Sequence, residues 1–376
     1  MMTKKTLIVT LATLALAGGC KKKEADATKA PPTTGSDKAP TPTPPVADPV
    51  KPPVAAPLTG DALAKAYLAA WDAWNAGDKA KYRAAYADNA VSRWPDTPTP
   101  ERTGGDAIVT ASFDFRGGFP DIKATPQIVL VNGRSVAAVY LTTGTNSAPM
   151  KTPMGEMPPS NKKIGALVFH TATFNDANQI ADETWVMDGN TMAHQLGMSP
   201  QPGRAVIDKG ADAPVIAIAA NSDAEKANLT LVMKGNEDFN KHDVAAMMAT
   251  WADDAIESDQ ASPEDTVGKA KIEANTKMFL GAFSDGKITA VTSFAAGDYV
   301  MQIATFVGTN DGDMGPMKKT GKSVKMTVAE ISKFEGGKVK QLWRFFDSMA
   351  MASQMGLMPA DAAPAAPAAP AAPKSN

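Results

Sequence analysis

The chain is poor in the residues that build covalent or metal-centred frameworks. It holds one cysteine, Cys20, which excludes an intrachain disulfide. Its three histidines, His170, His194 and His242, are scattered without the paired spacings of a zinc site, so no metal centre is expected. Charge of one sign is also lacking. The 38 lysines and arginines nearly balance 40 aspartates and glutamates, which removes the broad electrostatic case for a nucleic-acid partner. The longest apolar run is too short to cross a bilayer as a helix. What is plentiful is proline, 29 residues unevenly placed, and where they cluster, towards the two ends of the chain, they mark segments that build no core. A hydrophobic content of 44% over 376 residues is enough for two domains plus tails.

The amino terminus accounts for the single cysteine. Lys4 and Lys5 precede the apolar stretch from Thr6 to Ala17, then Gly18, Gly19 and Cys20, which is the layout of a secretory signal. Ala17-Gly18-Gly19-Cys20 resembles a bacterial lipobox, whose cysteine is acylated and becomes the mature terminus. Lys21, in place of an aspartate, resembles the default sorting of such proteins to the outer membrane. The expected address is therefore the bacterial cell envelope, with the membrane as a partner through acylated Cys20. Residues 1–20 read as the signal peptide and 21–58 as a Pro/Ala-rich tether that cannot bury apolar surface. Residues 359–376 read as an Ala/Pro tail.

Between these ends the chain repeats itself, and the repeat organises the rest. Residues 59–200 and 222–358 are the two copies, joined by a linker at 201–221. In the first, Leu63, Tyr67, Trp71 and Trp74 fall on one face of a helix with Asp61 as its expected N-cap and Gly77 at its end. Asp78 then caps a second helix expected to run through Tyr86. In the second copy Ser222-x-x-Glu225 is a capping box, and Asp243 stands where Asp78 stood. Phe119-Pro120-Asp121 matches Phe283-Ser284-Asp285, and Gly144-Thr145-Asn146 matches Gly308-Thr309-Asn310. Long strands with alternating apolar residues follow. Each copy ends in a strand, an aspartate (Asp188, Asp347) and a short turn or helix carrying Gln-x-Gly (Gln195 to Gly197, Gln354 to Gly356). The pattern predicts an α+β fold twice over, with three helices on one face of a curved antiparallel sheet.

Those motifs, in this order, resemble the SnoaL-like polyketide cyclase (ester cyclase) branch of the nuclear-transport-factor-2-like superfamily. The carriers are Asn75-x-Gly77-Asp78, Asn240-x-His242-Asp243, Gly105, Gly268, the Phe119-Pro120-Asp121 signature and the aspartate-to-glycine ending. The resemblance implies two tandem cone-shaped half-barrels, each with a pocket between sheet and helices, and no cofactor. Related domains often pair sheet to sheet, which implies an intramolecular pseudo-dimer. The family's histidine falls on His170 in copy one and on Glu330 in copy two. Its acid/base aspartate falls on Trp185 and Arg344, and neither indole nor guanidinium can take a proton from carbon at neutral pH.

The candidate site residues follow. His170 with Asp188 is the candidate catalytic pair of copy one; Trp185, Glu330, Trp343, Arg344 and Asp347 are the candidate ligand pocket. Asp188 and Asp347 have a second reading as caps of the turns that follow them. Glu330, alone in an apolar strand, needs a partner, and Arg344 is a candidate. Three functions fit this pattern. The first is a tethered module that binds a small, partly apolar ligand or an envelope partner without turnover. The second is a cofactor-free cyclase, isomerase or hydrolase using the pocket of copy one. The third is Cu(I) handling through the methionines of two loops (Met150, Met154 and Met157; Met314 and Met317) and of the C-terminal turn (Met349, Met351, Met355 and Met358). The lipobox reading is checked by labelling: Cys20→Ser is expected to abolish palmitate incorporation and to move the protein out of the membrane fraction. Labelling that survives the substitution contradicts it.

Overall fold

The structure is a computed structural model that describes residues 56–97, 99–152 and 155–358. The signal segment, nearly all of the tether, Cys20 and the Ala/Pro tail lie outside the described residues. Domain 1 runs α1 (Gly60–Ala76), α2 (Lys79–Ala84), β1 (Tyr86–Arg93), β2 (Glu101–Thr103), α3 (Gly105–Gly117), β3 (Lys123–Asn132) and β4 (Ser135–Thr145). A small hairpin follows, β5 (Met150–Thr152) and β6 (Gly155–Met157), then β7 (Lys163–Phe174), β8 (Ile180–Val186) and α4 (Gly189–Gln195). The linker contributes β9 (Val215–Ile218). Domain 2 repeats the plan with α5 (Asp223–Asn240), α6 (Val244–Met248), β10 (Trp251–Asp259), β11 (Thr266–Val267) and α7 (Lys269–Ala282). It closes with β12 (Lys287–Ala296), β13 (Tyr299–Thr309), β14 (Ser323–Glu335), β15 (Lys338–Phe345) and α8 (Ser348–Gln354).

The local signals explain most of these boundaries. Leu63, Tyr67, Trp71 and Trp74 are the buried stripe of α1, and Gly77 ends it at φ 74°, a left-handed turn that glycine adopts without strain. The N-cap is Thr59, and Asp61 falls in the first turn, where its charge favours the helix dipole. Asp78 and Asp243 cap α2 and α6, each accepting a backbone N–H at 3.0 Å. The Ser222–Glu225 capping box forms in full at the start of α5.

The fold differs from the expected pattern in three ways: the end of the second helix, the pairing of two strands and the part played by the linker. The helix expected to reach Tyr86 stops at Ala84, and Tyr86 opens a strand. That strand, β1, pairs parallel to β8, and β10 pairs parallel to β15, so the sheets are mixed and not purely antiparallel. The short turn or helix expected after the last strand of each copy is a helix, α4 or α8. The linker is not merely a spacer, because β9 adds a parallel strand to the edge of β3. The resulting orders are β2-β1-β8-β7-β4-β3-β9 and β11-β10-β15-β14-β13-β12.

Alternation along each strand then decides what packs where. One face of the domain 1 sheet meets α1, α2 and α3 through Tyr67, Trp71, Tyr140 and Ala172. The other face presents Ile128, Leu130, Val139, Phe169 and Val186, and these join Phe294, Met301, Ile303, Ile331 and Phe345 of domain 2 in one apolar layer. The rings of Phe169 and Phe345 lie 5.7 Å apart across it. Because that layer is common property, Phe345→Ala is expected to cost about 3–5 kcal/mol and to shift a single denaturant transition for the whole chain. A biphasic curve in which the domain 1 transition stays put contradicts the shared core.

Candidate functional site

In domain 1 the histidine sits on β7 and faces the helices. The pairing of β7 with β8 sets His170 opposite Trp185, and the pairing with β4 sets it opposite Ala138. Its side chain is 0% exposed. Tyr67 of α1 lies 2.6 Å from Nδ1, and Glu183 Oε2 lies 3.2 Å from Nε2. With a carboxylate at Nε2, that nitrogen carries the proton and donates, and Nδ1 accepts from the Tyr67 hydroxyl. Tyr86 O–H donates to the same Glu183 oxygen at 2.7 Å, and Tyr82 meets Tyr86 at 2.8 Å. Burial would raise the Glu183 carboxyl, but the hydrogen bond from His170, with help from Ser92, holds it below its ordinary value. Burial pushes the Tyr67 phenol far above its ordinary range, so it stays protonated.

Above this line of polar groups lies an aromatic stack. Trp185 packs on His170 at 4.0 Å between centroids and 29° between planes. Trp94, just past β1, lies on the other side of Trp185 at 5.3 Å and 12°. Trp71 meets Trp185 edge-on at 5.3 Å. Both Trp94 and Trp185 are half-buried, while His170, Tyr67 and Glu183 beneath them are sealed.

Domain 2 has the same geometry with different chemistry. Glu330 stands opposite Arg344 as His170 stands opposite Trp185. Arg344 Nε donates to Glu330 Oε1 at 2.8 Å, and its Nη1 makes a closer ion pair with Glu257 of β10. Gln302 donates to Glu330 at 2.7 Å and accepts from Asn236 of α5 at 2.9 Å. Burial works against the Arg344 charge, but Glu257, Glu330 and Asp259 outweigh it and hold the guanidinium above its ordinary value. Glu330 therefore has the partner that its apolar strand required, and the guanidinium is fixed between two carboxylates by one hydrogen bond to each.

Asp188 is not brought to His170. It caps α4, accepting Thr191 N–H at 2.7 Å, and reaches across the domain boundary to accept Ser348 N–H at 2.9 Å and Ser348 O–H at 2.6 Å. Asp347 mirrors it, accepting Met349 N–H at 3.0 Å within α8 and Gly189 N–H at 3.3 Å from domain 1. The two aspartates are crossed caps, each serving its own helix and the first turn of the other. The candidate pocket also separates, for the same reason of strand alternation. Glu330 and Arg344 face the helices, Trp343 packs against the apolar layer between the sheets, and Asp347 lies at the domain boundary. Trp185 belongs to the other domain.

Other repeated motif residues are backbone clamps too. Asn75 donates to Ala124 O and accepts from Ala124 N–H at 2.9 and 2.8 Å, and Asn240 does the same to Ile288 at 2.9 and 2.7 Å. Asp121 and Asp285 accept the N–H of Thr145 and Thr309 at 2.7 and 2.6 Å. Gln195 and Gln354 each bond both backbone groups of a β7 or β14 residue, Gly165 or Lys325. The methionines fill space: Met150, Met351 and Met355 are buried in the cores, and Met157, Met314 and Met317 pack against them. A concavity of about 520 Å³ lies on the outside of domain 2 beside Asp265, Val267 and Lys271, and a void of about 10 Å³ adjoins Asp188 and Gln260. Neither is lined by a residue of the two interior networks.

A duplicated α+β cone with helices on one face and a partner sheet on the other is the class that this geometry defines. The family model for the SnoaL-like polyketide cyclase matches residues 63–196 and 230–355. The chain belongs to that family, with one domain in each repeat. No curated protein matches the chain. Among solved structures it is similar to AclR, a putative hydroxylase from Streptomyces galilaeus, at 20% identity over 36% of this chain and 99% of that one, with a TM-score of 0.33. It is also similar to a putative SnoaL-like polyketide cyclase from Jannaschia sp. CCS1, at 16% identity over 37% and 97% of the two chains, TM-score 0.35. IdmH, a putative polyketide cyclase from Streptomyces antibioticus, matches at 20% identity over 34% and 98%, TM-score 0.31.

The domain boundary carries a pH dependence whose sign can be worked out. Burial, then the charge of Asp188, pushes the Asp347 carboxyl up to about 6 from its ordinary 3.8. Asp259 is also pushed up to about 6, by burial first, against the attraction of Arg344. A carboxyl that holds its proton more tightly when folded contributes stability fully below about 3.8, and that contribution is lost as pH rises through about 6. Asp347→Asn keeps the capping oxygen and removes the titration. It is expected to raise Tm at pH 7.5 by a few degrees, on the order of 1 kcal/mol, with little effect at pH 5. Equal shifts at both pH values contradict this account.

Proposed function

We propose that the protein is a lipid-tethered tandem SnoaL-like module of the bacterial envelope that binds a small, partly apolar ligand without turning it over. The observation that carries this reading is the state of the two cone interiors. Where acid/base chemistry would sit, domain 2 has Arg344 locked between Glu257 and Glu330. Domain 1 has His170 fully buried, with both ring nitrogens already paired. Ion pairs so enclosed are costly to break, because removing one partner strands a buried charge. The ligand's seat is then the half-buried face of the Trp94–Trp185 stack, which offers planar apolar area at small entropic cost.

A second reading rests on one specific feature. Tyr67, His170 and Glu183 form a hydroxyl–imidazole–carboxylate line, the order of groups that activates a hydroxyl. Burial of all three opposes that use, since no substrate atom reaches them in this arrangement. The test uses the mature chain and an apolar aromatic probe, anilinonaphthalene sulfonate, followed by tryptophan quenching. Saturable binding weakened at least tenfold in Trp185→Ala, and unchanged in Glu330→Gln, is the expected result. Binding indifferent to Trp185→Ala removes the proposed seat. Turnover of an ester or an enolisable ketone that disappears in His170→Gln, with the fold retained, replaces this reading with the enzymatic one.

A further inference from the structure

The two domains carry the same hairpin at the same edge of the sheet, and only domain 1 has that edge covered among the described residues. There β9 runs parallel to β3, setting Val215–Ile218 against Ile128–Val131, and Ala219 N–H donates to Val131 O at 2.8 Å. Farther along, β3 bulges between Pro126 and Ile128. The bulged residue, Gln127, accepts Ala211 N–H of the same linker at 2.7 Å. Domain 1 thus takes an extended segment along the Ile128–Val131 part of its outer edge, with the linker held once more at Gln127.

β12 is built in the same way, with its bulge between Ala290 and Thr292, and it is the last strand of its sheet. Thr289, Ala290, Val291 and Thr292 are all exposed. Val291 stands where Gln127 stands and is 68% exposed. Where β3 carries Pro126, which guards an edge because it cannot donate to an added strand, β12 has Ala290. The outer face is continuous with the interface between the domains. Met301 and Ile303 of β13 lie in the shared apolar layer, and Val307, two residues beyond Thr305 on the same face, is 47% exposed.

The geometry points to the free edge of β12 as a docking edge for an extended, β-branched segment of a partner protein, added to domain 2 as β9 is added to domain 1. The added strand is held by main-chain hydrogen bonds, with β-branched side chains packing on Val291 and Val307. Among the described residues no other segment of this chain pairs with that edge. Residues 359–376 contain only Ala, Pro, Asp, Lys, Ser and Asn, with proline recurring too often to sustain a ladder. Residues 21–58 are similarly interrupted by proline.

The linker supplies the probe for a test. A fluorescein-labelled peptide with the sequence of residues 205–219, AVIDKGADAPVIAIA, is titrated into the full mature chain by anisotropy. One saturable site is expected, with hydrogen exchange slowed at Thr292 to Ala295. Affinity should fall at least tenfold in Val291→Lys, and also in Ser293→Pro if that variant folds. No saturable binding, or binding indifferent to Val291→Lys, overturns the proposal. So does protection confined to Val129 and Val131, which would mean the peptide had merely displaced β9. A homodimer in sedimentation that Val291→Lys dissociates also overturns it, by making a second copy the occupant.

Discussion

Each curved sheet in this protein is apolar on both faces, and that constraint governs the rest of the molecule. On β7, Phe169 points to the other domain and His170 to the helices. On β15, Phe345 and Arg344 divide in the same way. A sheet of this kind cannot stand in water with helices on one side only, because the second face would expose a large apolar patch. Each domain therefore serves as the other's missing layer. The crossed caps of Asp188 and Asp347 close one end of that layer, where four helix-terminal N–H groups would otherwise go unpaired at a buried boundary.

Duplication with divergence accounts for the contrast between the interiors. The residues held in common are mostly side chains that bond backbone: Asn75 and Asn240, Asp121 and Asp285, Gln195 and Gln354. They fix the course of the chain and leave the cone contents free to change. Domain 1 filled its cone with aromatic rings around a Tyr67–His170–Glu183 line, and domain 2 with an ionic network around Arg344. The charged and imidazole groups of both fillings are paired, which keeps their burial from being prohibitive, while the Tyr140 hydroxyl in the domain 1 cone is buried without a partner.

Much of this was legible in the chain itself. The stripe of α1, the caps at Asp78, Asp243 and Ser222, and the doubling of the motifs rest on local rules that hold whatever packs against them. β1 was not legible, because its register shifts between Tyr86 and Val91 and breaks the two-residue period. That hid the strand, and with it Glu257 of its counterpart β10 as a partner for Arg344. Glu183 had a usable signal, two residues before Trp185 and therefore on the same face of β8. Tyr67 had none beyond its place on the apolar stripe of α1, since its partner lies 103 residues away. The pairing of His170 with Asp188 failed on parity alone: Asp188 continues the face of Val186, which looks toward the other domain.

Electron density in the two cones tests the central claim most directly. A crystal structure of the protein purified from its native source should show both interiors filled by side chains alone. Tyr67, His170 and Glu183 should close one, and Arg344, Glu257 and Glu330 the other. A small molecule lodged between the helices and the sheet, touching His170 or displacing Arg344 from its carboxylates, would contradict the account.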